Sequence, residues 1–328
     1  MIVNDRIYGR IRILDPLATE LIKSRVFQRL KGVAQMGVYQ YALPKINTTR
    51  YEHSIGTYYL LLKFGTTREE QIAGLLHDVS HTAFSHVIDH LHGDKLKQES
   101  QDKVHRTYIL KSKIPQILKK YKMNVNSIAN HHNWPLLDQH LPDLCADRLD
   151  YCLRDGFVCE VLNHREIQLI LDSLEIIDTK WVFTNTRVAK NYFAKTLIMT
   201  RNWWAPVWGV LQFELMAQAL RVGLKKKIIT QKDLFARDKK VWAKLEKSKN
   251  KEISKRLLRV QNVLKLKYKF VKGPTETSIQ GKYRGVDPLI QKNGKLERVS
   301  KNAPKYLLAR ADKIKSEVES LRYIEFIN

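Results

Sequence analysis

Between Ile72 and His86 the chain reads Ile-Ala-Gly-Leu-Leu-His-Asp-Val-Ser-His-Thr-Ala-Phe-Ser-His, which crowds His77, Asp78, His81 and His86 into one short stretch. His53 and Asp147 are candidates to join them from distant segments. Taken together, His53, His77, Asp78 and Asp147 form a mixed nitrogen and oxygen set suited to one divalent ion of the Mn, Fe, Co, Ni, Zn or Mg type, with positions left over for water and a phosphate oxygen. Such an ion lowers the pKa of a bound water and draws off charge developing on a phosphoryl oxygen, which is the chemistry of phosphoester hydrolysis. A histidine beside it, with an ordinary pKa of about 6.5, can carry a proton to the departing oxygen. The thiolates of a structural zinc site are absent from this set: Cys145, Cys152 and Cys159 stand seven apart without a Cys-x-x-Cys pair and read as buried, reduced thiols.

These groups need helices to hold them. Ile72, Leu75, Leu76 and Val79 recur at helical spacing, and a helix continued through them would stack His77 and His81 on one face, its end pointing into a cavity lined by Thr82 to His86. Thr67 and Glu70 have the spacing of a capping box for that helix. Upstream, Ile2 to Tyr8 and Ile11 to Leu14 read as a hairpin turning at Gly9-Arg10, Asp15-Pro16 opens a helix reaching to about Met36, and another covers Ser54 to Phe64. If that last helix starts early, Arg50 lies one turn before His53 and points the same way. Downstream, helices are expected from about Lys103 to Lys122, Val125 to His132, Leu141 to Cys159, Ile167 to Ile177, Ala189 to Lys226 with a break near Pro206, Lys232 to Lys247 and Pro304 to Leu321. Glycine-punctuated, β-prone residues occupy 268–300. The expected fold class is mainly α, a helical bundle over residues 1–220 with a short N-terminal β-hairpin, followed by a basic C-terminal region over 221–328 that forms a small α+β appendage.

Three motifs, Arg50-Tyr-Glu-His53-Ser-Ile-Gly, Leu75-Leu-His77-Asp78-Val-Ser-His81-Thr-Ala-Phe-Ser-His86 and Ala146-Asp147-Arg148-Leu-Asp150-Tyr151-Cys-Leu-Arg154-Asp155, resemble in order and spacing the HD-superfamily phosphohydrolases. Within them the sequence looks most like the deoxynucleoside triphosphate triphosphohydrolases, with Ile7-Tyr8-Gly9, Phe27-Gln28-Arg29-Leu30 and Gln35-Met36-Gly37 adding to the likeness over roughly residues 5–160. The resemblance implies an HD-domain bundle in which His53, His77, Asp78 and Asp147 hold the metal. His81, His86 and Asp89 would form a catalytic cluster, with His105 as a general acid. Gln35, Arg50, Arg148, Tyr151 and Asp155 would bind the substrate's sugar or phosphates. The implied reaction is attack of metal-bound water on the α-phosphorus of a dNTP, releasing deoxynucleoside and triphosphate, in an enzyme whose relatives are commonly homo-oligomers.

Three departures bear on the substrate. Ala83 stands where the family has proline before Phe-Ser-His, and Arg106 replaces the glutamate that follows the histidine matched by His105. After Thr200-Arg201-Asn202 come Trp203, Trp204, Ala205, Pro206 and Trp208 instead of a histidine and a tyrosine. Charge adds a competing reading. The net charge is +25, of which +19 falls after residue 220, so a nucleic-acid-binding protein, or a single-strand phosphodiesterase or nuclease using the basic C-terminal region, is the alternative to a nucleotide hydrolase. No apolar run reaches the length of a membrane span and no signal-peptide pattern opens the chain, so a cytoplasmic protein without membrane contact is expected.

Overall fold

The helix Arg50–Lys63 packs against Arg68–Leu76 and Ala146–Val158, and these three helices carry the candidate metal ligands at or next to their ends. The computed structural model describes residues 1–327 and is mainly helical. Thr49 caps the first of the three in a complete capping box with Glu52, so the helix begins at Arg50 and places Arg50 and His53 in its first turn. Thr67 caps the second, but Glu70 does not close the expected box. Its buried carboxylate accepts instead from the backbone N–H groups of Leu136 and Leu137 at 2.7 and 3.1 Å. The carbonyls of those two residues accept from Ala146 and Asp147 N–H, and this positions the start of the third helix.

The second helix stops at Leu76, where the motif begins. His77 to His86 form a run of turns, with Phe84 and Ser85 at φ 62° and 49°. The helical stacking expected of His77 over His81 is therefore absent; a folded-back loop brings them together. An aromatic side chain at positive φ is disfavoured, and packing from elsewhere holds this one. Phe84 N–H donates to Asp238 Oδ1 and Ala34 N–H to Asp238 Oδ2, both at 2.9 Å. Arg29 donates to the carbonyls of Val79 and His81 at 2.8 and 2.7 Å.

Other elements depart from the apolar spacing because that spacing reads through breaks. The 17–36 helix is interrupted at Ser24, which turns extended and caps the next short helix, Arg25–Gln28. The 103–122 helix splits into Asp102–Leu110 and Ile114–Lys120. The 167–177 helix ends at Asp172, and Leu174–Ile177 is a strand paired with Lys180–Phe183. The N-terminal hairpin turns at residues 6–8 between Ile2–Asp5 and Gly9–Arg12, and helix Lys251–Gln261 was not signalled. Helix Val207–Lys225 runs through residue 220. Lys180–Phe183 also pairs in parallel with Leu289–Lys292, so residues on both sides of that helix share one four-stranded sheet. One apolar core extends from Ile7 to Ile324. No helix among the described residues is long and apolar enough to cross a membrane.

Close packing at Gly56 gives a test of the central three-helix contact. A Cβ there would overlap the Asp150 carboxylate and the Arg154 guanidinium. Gly56→Ala is expected to cost about 3 kcal/mol through overpacking and disruption of a buried ion pair, read as a lowered thermal midpoint by circular dichroism; an unchanged midpoint contradicts this packing.

Candidate active site

His53, at the cavity end of helix Arg50–Lys63, is fully buried, and its two nitrogens have different partners. Nδ1 lies 2.7 Å from Asp150 Oδ2, while Nε2 lies 2.8 Å from Asp147 Oδ1 and 3.1 Å from His77 Nε2. His77 Nδ1 is 2.7 Å from the Gly74 carbonyl, which can only accept, so Nδ1 carries the hydrogen and Nε2 a lone pair. Asp150 acts the same way on His53, because its carboxyl is held below the usual range: burial raises it, but Arg154 and His53 outweigh burial. Two imidazole lone pairs thus face one another with Asp147 Oδ1 between them. Asp78 adds oxygens 3.6 Å from His53 Nε2 and 3.5 Å from His77 Nε2.

Four acceptors meeting in a buried space require a cation. In the metal-free protein a proton supplies part of that charge. Burial pushes His53 down, yet hydrogen bonds to Asp147 and Asp150 and the charge of Asp78 raise it to about 10. Among the described residues His53, His77 and Asp147 offer ligand atoms within 4.8 Å of one another. This geometry fits the nitrogen and oxygen donor set expected for a divalent ion. Asp150 is the backing carboxylate of that set. It is clamped by Arg154 through two hydrogen bonds of 2.9 and 3.0 Å and accepts from Tyr8 Oη, while Arg154 also reaches Asp5. Asp150 is absent from the site residues that the motifs imply, yet it orients a ligand, and Arg154 pairs with it and with Asp5 in the interior.

Beside the ligands lies a cavity of about 200 Å³. A single water needs roughly 10–15 Å³ on this measure, so there is room for a small organic phosphate. Its wall includes Gln35, Arg50, His77, Asp78, His81, His86, Asp147, Arg148, Tyr151 and Asp155. Arg50 donates to Asp78 Oδ2 at 2.8 Å and to Ser85 Oγ at 3.0 Å. Gln35 Oε1, Arg50 Nη2, His81 Nδ1, Arg148 Nε and Asp155 Oδ1 are buried here without a protein partner. Asp89 sits behind the wall and accepts from His86 Nδ1 at 3.0 Å, fixing the ring so that Nε2 is its acceptor. Burial drives His81 down to about 4 and His86 down to about 3. Both are therefore neutral near pH 7, with none of the partial protonation that an ordinary histidine pKa allows there. His105 does not reach the cavity. It is buried with Nδ1 2.9 Å from Ser80 Oγ and 3.3 Å from Gln101 Nε2, supporting the loop from beneath.

Several wall residues had no signal in the motifs. Trp203 and Trp204 line the cavity while packing against the apolar cluster of Met36, Tyr39 and Met199, carried by a π-helical turn at Thr200–Trp204, and Trp204 Nε1 donates to Asp155 Oδ2 at 3.0 Å. Asp102, Asp138, Lys282 and Arg284 complete the charged lining. Burial, followed by repulsion from Asp138, Asp147 and Asp78, lifts Asp102 to about 7.

Comparison with known proteins adds to this geometry. A model of the HD domain matches residues 50–155. The chain is 40% identical over 256 residues to the uncharacterized Bacillus subtilis protein YdhJ, covering 77% of this chain and 78% of that one. It is 38% identical over 175 residues to a metal-dependent phosphohydrolase of Cordyceps militaris, covering 53% of this chain and 50% of that protein. Identity to the human deoxynucleoside triphosphate triphosphohydrolase is 37% over 103 residues, or 27% of this chain and 16% of that one. Among solved structures, a phosphohydrolase of Bacteroides thetaiotaomicron shares the fold over the full length of both chains, with a TM-score of 0.70 at 17% identity.

Because the His53 pKa is raised above 6.5, a divalent ion must expel a proton from the site at any pH below about 10. Titration calorimetry of the metal-free protein with Mn²⁺ in buffers of different ionisation enthalpy is expected to show release of about one proton per ion and tighter binding as pH rises. The same shift stabilises the metal-free fold fully below pH 6.5, and that stabilisation is lost as pH rises toward 10. Metal binding without proton release contradicts the arrangement.

Proposed function

The chain belongs to the HD-domain metal-dependent phosphohydrolases, and on that premise we propose that its substrate is a nucleotide, a dNTP hydrolysed to deoxynucleoside and triphosphate. The observation that carries this reading is the convergence of His53, His77, Asp78 and Asp147 beside a cavity whose wall also holds Arg50, Arg148 and Tyr151. His53, His77, Asp78 and Asp147 would hold a divalent ion, which would supply positive charge to the phosphoryl oxygens and acidify water. Arg50, anchored by Asp78 and Ser85, directs its unpartnered Nη2 at a phosphate oxygen. His86, held by Asp89, takes a proton at Nε2 from the attacking water once the negative charge of bound phosphate raises it from its low value in the empty site, and returns it to the departing oxygen. Tyr151 and Trp204, in edge contact at 5.2 Å between ring centroids, flank the sugar and base. Gln35 and Asp155 offer them the partnerless acceptors Oε1 and Oδ1. Support for the dNTP in particular comes from the motif pattern and from the partial likeness to the human triphosphohydrolase.

Metal-loaded protein incubated with a panel of dNTPs, NTPs and single-stranded oligonucleotides, with products separated by ion exchange, is expected to yield deoxynucleoside and inorganic triphosphate. Orthophosphate alone, or shortened strands, contradicts the dNTP reading. Asp89→Asn replaces one acceptor oxygen of the carboxylate with an N–H donor, so His86 Nδ1 and Ser100 N–H compete for the single oxygen that remains. The substitution is expected to lower kcat about 10- to 100-fold with little change in KM and an unchanged circular dichroism spectrum; wild-type turnover contradicts the proton-transfer role of His86.

A further inference from the structure

Two cations on the cavity wall come from outside the span matched by the HD domain, and no motif anticipated them. Lys282 and Arg284 lie on the irregular segment that follows strand Thr277–Ile279 and precedes strand Leu289–Lys292. That segment is firmly held although it has no regular structure. Gly281 N–H donates to the Val318 carbonyl at 2.9 Å, and Gln280 Nε2 to the Glu319 carbonyl at 2.9 Å. Val286 is fully buried, and Asp287 N–H donates to the Pro142 carbonyl at 3.1 Å. Gly281 also leaves no slack, since a Cβ there would sit 3.0 Å from the Ala205 Cβ. The two side chains are therefore presented from a fixed backbone.

On the opposite rim, residues 94–101 are clasped to this segment. Lys95 donates to the Ser278 carbonyl at 3.0 Å, Lys282 Nζ to the Lys97 carbonyl at 2.7 Å, and Arg284 to Gln98 Oε1. Neither Lys282 nor Arg284 forms an ion pair with a carboxylate among the described residues, whereas Arg50 is paired with Asp78. Arg284 lies 5.9 Å from the ring centre of Tyr151, which sits on the helix that also carries Asp147 and Arg148. Burial, with repulsion from Arg284 and Arg148, lowers Lys282 to about 8, the state expected of cations gathered before their anion arrives.

Resting on the phosphohydrolase reading and deepening it, we propose that Lys282 and Arg284 bind phosphates of the substrate additional to the one held at Arg50, so that the segment 280–286 selects a polyphosphate over a monophosphate. A bound ion would offset the carboxylates Asp78 and Asp147, and of the other acids on the wall Asp102 is lifted to about 7 and so carries only part of a charge against the two cations. A single phosphate is satisfied by the metal and Arg50. Only a longer, more highly charged chain gains from reaching the second pair of cations.

The test uses the full, metal-loaded chain in excess Mg²⁺, titrated calorimetrically with inorganic tripolyphosphate and, separately, with orthophosphate. In Lys282→Met and Arg284→Met the affinity for tripolyphosphate is expected to fall at least about tenfold, the worth of one charged hydrogen bond, and that for orthophosphate by less than about threefold on the same scale. Lys282→Arg, which keeps the charge, is expected to retain most of the tripolyphosphate affinity. Equal losses for both ligands, or no loss in variants that melt at the wild-type temperature, overturn the proposal, as does a wild-type chain that binds tripolyphosphate no better than orthophosphate. A failure to release triphosphate from dNTPs would overturn the dNTP reading while leaving this preference measurable by itself.

Discussion

The hydrogen bond from His53 Nδ1 to Asp150 decides what the rest of the site can be. It leaves Nε2 of a fully buried imidazole as an acceptor, facing the acceptor nitrogen of His77 and the carboxylate of Asp147. A buried cluster of acceptors is costly unless a cation occupies it, so the molecule stores a demand for positive charge where Asp78 and Asp147 meet the two histidines. Asp150 keeps its own charge because Arg154 clamps it and Tyr8 donates to it, and Arg154 is tied in turn to Asp5 near the N-terminal hairpin. The hairpin thus serves the ligand set from behind.

The C-terminal half does comparable work from the other side. Asp238 accepts from Phe84 and Ala34 and so pins the loop carrying His81 and His86 against residues 33–34. Leu234 takes the N–H of Ala83 through its carbonyl. Helix Val207–Lys225 follows the π-helical turn that carries Trp203 and Trp204 to the cavity, and the segment 280–286 adds Lys282 and Arg284 to its wall. The motif residues are thus arranged by parts of the chain that hold no motif. Much of the strong positive charge of that region lies on its surface helices, yet Lys282 and Arg284 are turned inward to the cavity.

The convergence of the candidate ligands was legible in sequence because its signal is residue identity at fixed spacing: two histidines, two aspartates and an arginine do not depend on the exact backbone path. Helix Arg68–Leu76 was readable because Thr67 caps it and its apolar spacing is regular. What followed was not readable, since nothing in the order His-Asp-Val-Ser-His says that the helix ends at Leu76. The turn at Phe84 and Ser85 is imposed by Asp238, more than 150 residues away in sequence. His105 matched a catalytic position by sequence, but its ring is taken up by Ser80 and Gln101. Glu70 fitted a local capping rule, whereas two backbone amides near Leu136 hold its carboxylate. Lys282 and Arg284 were invisible because a lysine or arginine among glycines looks the same on a surface as on a cavity wall.

The most direct test is the anomalous difference map of a crystal of the protein grown with Mn²⁺. The account predicts one strong peak bounded by His53 Nε2, His77 Nε2, Asp78 and Asp147, and no peak there in Asp147→Ala crystals that keep the fold. A map with no density between the two imidazoles, or with manganese only elsewhere on the chain, would contradict it.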